Sequence, residues 1–177
     1  MFDVRIKTGD SLAAIQHRAS SIEHRVLILG IGNILLQDEG VGVHVVHELQ
    51  KRSLPDNVEV IDAGTSGLDI LLSQEGLYKL VVIDAIKAGN KPGTVYKTRL
   101  NTWPRCEPHA ISLHQFGLLC SLTAAEKMNC APDEIVIIGV EPGQIDLGLE
   151  PSEPVKQSIP KVIEKILEEI QDAIHGE

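Results

Sequence analysis

Two acids and one imidazole carry the strongest chemical signal in this sequence. Glu39 follows the glycine-rich turn Gly30-Ile31-Gly32-Asn33, Asp84 closes the apolar run Leu80–Ile83, and His114 lies within Ser112-Leu113-His114-Gln115. Together they offer two oxygen donors and one nitrogen. Such a set suits a borderline divalent ion with coordination positions left open. Two close carboxylates are costly unless a proton or a cation lies between them. Each residue also has a plainer role available: Glu39 can complement a helix dipole, Asp84 can sit in solvent, and His114 can be structural. The choice depends on whether the fold brings the three together.

The elements that would do so are legible in the hydrophobic pattern. Val26–Leu29 is a continuous apolar run ending in Gly30, the pattern of a buried parallel strand. Val41–Arg52 has Val41, Val45, Val46 and Leu49 at helical spacing. Val58–Ile61 reads as a second strand, Leu68–Leu72 opens a second helix, and Leu80–Ile83 is a third strand. This β-α-β-α-β alternation predicts an open parallel sheet with right-handed crossovers. Gly93–Leu100 breaks the rhythm by alternating, and it follows the third strand too closely for a parallel crossover, so it should run antiparallel at an edge. A helix over Ser112–Met128, a strand over Glu134–Val140 and an amphipathic helix over Val155–Ile174 complete the chain. The fold class is therefore α/β, with three layers: a twisted, mostly parallel five-stranded sheet, one antiparallel edge strand, and helices on both faces.

In such sheets, sites form beyond the carboxyl ends of the strands, where the winding reverses. With strand order 2-1-3, the first and third strands are neighbours about 4.8 Å apart. Glu39 and Asp84 then share one edge, and the start of the helix bearing His114 can reach it. Asp38 is expected to cap the first helix. His44 and His47 are spaced i, i+3 and are expected on or beside its solvated face. His17, His24 and His175 lie in or near flanking segments and carry little signal.

The glycine turn resembles a dinucleotide fingerprint, but Leu35 replaces the third glycine. Asp38 and Glu39 would also face a pyrophosphate at the helix N-terminus. Asp62 lies about 30 residues on, where a ribose-binding acid is expected near 20. Cys106, Cys120 and Cys130 form no CxxC pair, which fits a reducing cytoplasm. No serine or cysteine has an evident base partner, so covalent catalysis is not indicated.

Composition narrows the classes further. Sixteen Lys and Arg stand against 25 Asp and Glu in 177 residues, a net charge of −9. That charge opposes general binding to nucleic acid or an anionic membrane. No apolar run of about 20 residues indicates a spanning helix. Residues 1–24 are mixed polar, lack the apolar stretch of a secretory signal, and read as an extension, mobile or loosely docked. Residues 25–177 read as one α/β domain.

Four ordered segments carry a family resemblance. They are Gly30–Gly42 (GIGNILLQDEGVG), Asp62–Gly67 (DAGTSG), Val82–Ile86 (VIDAI) and Ser112–Gly117 (SLHQFG). These segments, their spacing and the later Ile138–Pro142 (IGVEP) resemble the hydrogenase maturation proteases over about residues 25–172. The resemblance implies a nickel-dependent endopeptidase of the cytoplasm. Its substrate would be the large-subunit precursor of a nickel–iron hydrogenase, trimmed of a short C-terminal extension after nickel insertion. The nickel would arrive in the precursor. By motif position, the family's nickel-contacting and catalytic residues fall on Glu39, Asp84 and His114, and substrate recognition falls on Asp62, Gly64 and Thr65. No nucleic-acid or membrane partner is expected on the charge argument above, and of the oligomeric states, which the sequence does not fix, a monomer is expected. The competing reading is a non-catalytic nickel- or nucleotide-binding module of the same fold. The family's proteins usually begin close to the first strand, so residues 1–24 depart from its pattern.

Overall fold

A computed structural model of the chain describes residues 24–65, 70, 76–100, 126–127 and 131–175. The expected helix over 112–128 falls largely outside these residues, as do the extension over residues 1–23, the three cysteines and His114. Ile70, Glu126 and Lys127 are helical, as expected for the second and third helices.

Five strands are present: β1 (Val26–Ile31), β2 (Val58–Gly64), β3 (Lys79–Ala85), β4 (Val95–Leu100) and β5 (Glu134–Val140). They form one sheet in the order β2-β1-β3-β5-β4. β2, β1, β3 and β5 run parallel to one another, and β4 runs antiparallel to β5 at the edge. The short link after β3 thus leads to an antiparallel strand, and β5 later fills the place between the two. β1 and β3 are direct neighbours, Gly30 lying opposite Ile83.

The strands are apolar on both faces because both faces are covered. On one face Val26, Ile28, Val81, Ile83, Val136 and Ile138 pack with helix α1 (Val41–Leu49) and helix α2 (Glu153–His175). On the other, Leu27, Leu29, Leu80, Val82 and Ile135 are buried, with the helical residue Ile70 packed against them. α1 stops three residues before the expected Arg52. Its end closes through Gln50 N–H to Val46 O and Arg52 N–H to Leu49 O, ahead of Pro55. No helix among the described residues is long and apolar enough to cross a membrane.

At the amino edge of the sheet a charged network ties α2 to the strands. Lys79 is buried and lies 3.0 Å from Glu134 and 3.1 Å from Glu169. Glu169, also buried, takes Lys97 at 2.6 Å and Arg99 at 3.0 Å as well. Two cations on strand β4 and one on β3 therefore converge on one carboxylate of the helix.

Candidate active site

The opposite, carboxyl edge is built on glycines. A Cβ at Gly42 would lie 2.3 Å from the carbonyl oxygens of Ile31 and Ile83, so the first turn of α1 rests on the backbones of β1 and β3. Gly32 has φ +141°, and a Cβ there would meet the Glu39 carbonyl oxygen at 1.9 Å. The chain folds back on itself here and forms a 3₁₀ turn over Gln37–Gly40, which carries Glu39 beside β3. The glycines serve this self-packing, and the space above Gly32 is taken by the chain's own carbonyl.

Asp84 sits near the end of β3, opposite Gly139 of β5, and is buried. Burial pushes its carboxyl up to about 7, and the nearby charge of Glu39 acts in the same direction. The Ala85 N–H, 2.8 Å from Asp84 Oδ1, opposes this without cancelling it. Asp84 and Glu39 therefore lie near enough at this edge for the charge of one to act on the other. Among the described residues no group of three His, Cys, Asp or Glu is placed to hold a metal ion. The expected nitrogen donor, His114, lies outside those residues. The donor chemistry of the pair fits a divalent cation: a buried carboxyl beside a second one is relieved by a positive charge.

Asp62 lies near the end of β2, opposite Gly30. Its Oδ1 accepts the Gly64 N–H at 2.9 Å and bends the chain through Gly64, which has φ +51°. Gly64 O in turn accepts the Gly32 N–H at 2.8 Å, which joins the 62–65 turn to the glycine turn below Glu39. Thr65 is exposed beside it. The second oxygen of Asp62 lies 3.0 Å from His47 Nε2. His47 is thus part of the edge rather than an idle surface residue. His44 is half-buried, and burial lowers its imidazole below the ordinary value, against Glu150 and a hydrogen bond to the Leu149 backbone.

The expected helix-capping role of Asp38 is corrected. Neither the 3₁₀ turn nor α1 has a side-chain cap. Asp38 is fully buried, and its carboxylate accepts the N–H groups of Gly143 (2.8 Å), Gln144 (2.7 Å) and Ser152 (2.6 Å), and the Ser152 hydroxyl (2.8 Å). Burial alone would raise its pKa, but these four bonds outweigh it and hold the carboxyl below the ordinary value. Asp38 therefore clamps both ends of the loop over 143–152 to the turn bearing Glu39. Glu141, also buried, does the same on the other side: it accepts the N–H groups of Ala88 (2.9 Å) and Gly89 (3.1 Å) and the Tyr96 hydroxyl. Sequence reasoning found neither role, because the partners, mostly backbone groups, lie 45 to 114 positions away.

A sequence profile described as hydrogenase maturation protease matches residues 43–169. The chain is 36% identical over 153 residues to the hydrogenase 2 maturation protease of Escherichia coli, covering 84% of this chain and 92% of that one. Among solved structures, the E. coli hydrogenase maturating endopeptidase HybD superposes with a TM-score of 0.77 at 34% identity, over 84% of this chain and 93% of that one. HybD of Thermococcus kodakarensis, a NiFe hydrogenase maturation protease, gives 0.67 at 30% identity, over 82% and 99%. With the same fold, this coverage and an acidic pair at the carboxyl edge, the chain belongs to the hydrogenase maturation protease family.

Proposed function

We propose that this protein is a nickel-dependent endopeptidase that removes a C-terminal extension from the large-subunit precursor of a nickel–iron hydrogenase once nickel has been inserted. The observation that carries the reading is the buried Asp84 beside Glu39, a carboxyl held near neutrality and in need of a cation. Glu39 and Asp84 would supply oxygen donors and His114 a nitrogen donor. A divalent ion held by these residues would supply Lewis acidity toward the scissile carbonyl. The 62–65 turn is hydrogen-bonded to the glycine turn, and it would orient the substrate chain through Asp62, Gly64 and Thr65. If the nickel arrives in the precursor, a nickel-free precursor lacks the group that Glu39, Asp84 and His114 bind. Cleavage then reports metal loading, and a missing partner for buried ligands discriminates strongly.

The test incubates the purified protein with nickel-loaded and nickel-free precursor and reads the products by mass spectrometry. Cleavage of the loaded form alone is expected. Equal cleavage of both forms overturns the nickel dependence, and cleavage of neither overturns the endopeptidase assignment in favour of a binding module.

A further inference from the structure

Large apolar side chains at the surface are few among the described residues: Leu35, Leu147, Leu149 and Ile174. Ile174 lies near the end of α2, and the other three come together. Leu36 and Gly148 form a parallel bridge, which makes Leu35 and Leu147 register neighbours. Gly148 N–H donates to Leu35 O at 3.0 Å and Gln37 N–H donates to Gly148 O at 2.9 Å. Leu35 is 56% exposed, Leu149 62% and Leu147 87%. Apolar side chains this open on adjacent strands of chain mark a contact surface more than a packing residue.

Two observations show that the exposure is built in. Asp38 holds both ends of the loop over 143–152 through four hydrogen bonds. Gln37, a non-glycine residue, takes φ +47°, a left-handed conformation retained between these two segments. The leucines are therefore presented on a fixed ledge. That ledge is continuous with the candidate site, because the Glu39 N–H donates to Leu36 O at 3.1 Å. Its charge is also defined. Asp146 and Glu150 are exposed on the same loop, and Lys156 meets Glu150 at 3.3 Å.

We infer that Leu35, Leu147 and Leu149 form the docking ledge for the protein substrate, and that they receive an apolar segment of the precursor flanked by cationic side chains. The inference rests on the proposed function for the identity of the partner. Continuity with Glu39 places a bound segment beside the acidic pair. Glu150 is already paired with Lys156, so Asp146 and the −9 charge of the chain favour cations and repel anions around it. A rigid ledge also lowers the ordering cost of binding an extended chain.

The test measures binding and cleavage of purified nickel-loaded large-subunit precursor by the wild type, by Leu147→Ser/Leu149→Ser, and by Leu35→Ser, with melting curves for each. Burial of one exposed leucine is worth about tenfold in affinity. The double variant should therefore raise Kd and KM by about 100-fold and Leu35→Ser by about tenfold, with the melting temperature within a few degrees of wild type. Wild-type Kd and KM in either folded variant overturn the ledge while leaving the protease reading intact. A wild type that neither binds nor cleaves the precursor overturns the protease reading, and the ledge with it. Sedimentation of the wild type as a dimer that the double variant dissociates, with unchanged precursor KM, assigns the surface to a second copy and also overturns the proposal.

Discussion

Asp84→Asn should produce a protein that is more stable and inactive. The buried carboxyl titrates near 7 in the folded chain, against 3.8 for an unperturbed aspartate. Its folded value is raised, so the stability it contributes is fully present below about pH 4 and is lost as pH rises through 7. Three pKa units amount to about 4 kcal/mol by linkage. Asparagine has nearly the same shape, and its Oδ1 can still accept the Ala85 N–H, now 2.8 Å from Asp84. It never ionises, so wild type and variant should match at pH 4 and separate by up to about 4 kcal/mol at pH 8, the variant being the stabler. In urea that is a midpoint difference of about 2 M, for a slope near 2 kcal/mol per molar. Denaturation at pH 4.5, 6 and 8 measures it. A difference that stays constant with pH, or that favours wild type at pH 8, refutes the reasoning. Added nickel should stabilise the wild type at pH 8 and leave the variant unmoved, since a cation reverses the cost of the charged form. Equal stabilisation of both would remove Asp84 from the ligand set.

His114→Ala should abolish processing with little change in the melting curve; His175→Ala is the control, its exposed ring hydrogen-bonded to Gln171 O of its own helix. His47 is unsuitable as a control because it holds Asp62. Asp38→Asn should cost about 3 kcal/mol, since the amide turns a donor toward a cluster of donors, and should open the 143–152 loop to limited proteolysis. Because the Asp38 carboxyl lies below its ordinary value, its contribution is present above about pH 4 and lost on further acidification, so the variant's acid limb should be flatter. Glu169→Ala should cost about 3–5 kcal/mol by leaving buried Lys79 short of its counter-charge, measured by urea unfolding, while kcat of the folded protein stays near wild type.

The adjacency of β1 and β3 and the antiparallel edge were legible because each follows from local periodicity plus the handedness of crossovers, whereas the insertion of β5 between β3 and β4 was not. Continuous apolar runs at 26–29 and 80–83 needed two covered faces, and that alone made β1 and β3 central. Asp38, Glu141 and Lys79 were not legible. Each is a buried charge satisfied by groups far along the chain, and no spacing rule links Asp38 to Ser152 or Lys79 to Glu169. His47 lies beside the solvated face as its spacing suggested, 43% exposed at the side chain, but its partner was not legible: i, i+3 spacing says which residues share a helix face, and says nothing of the strand end that face overlooks. The glycines at 30, 32 and 42 signalled a turn, yet their function is to admit carbonyl oxygens of this chain.

That last feature has a mechanical result. Where Gly42 touches Ile31 and Ile83, helix and strands meet backbone to backbone, with no side chain acting as a spacer. The gap between the 3₁₀ turn and β3 is then set by peptide groups, which are the same in every protein, and is insulated from whatever fills the interior behind α1. Val45 and Leu49 can change in size at a cost in stability, whereas Val46, whose side chain lies against Gly30, cannot grow without pressing on the turn. The reactive edge keeps its dimensions, and the tolerance it needs is held by residues that have no side chain to vary.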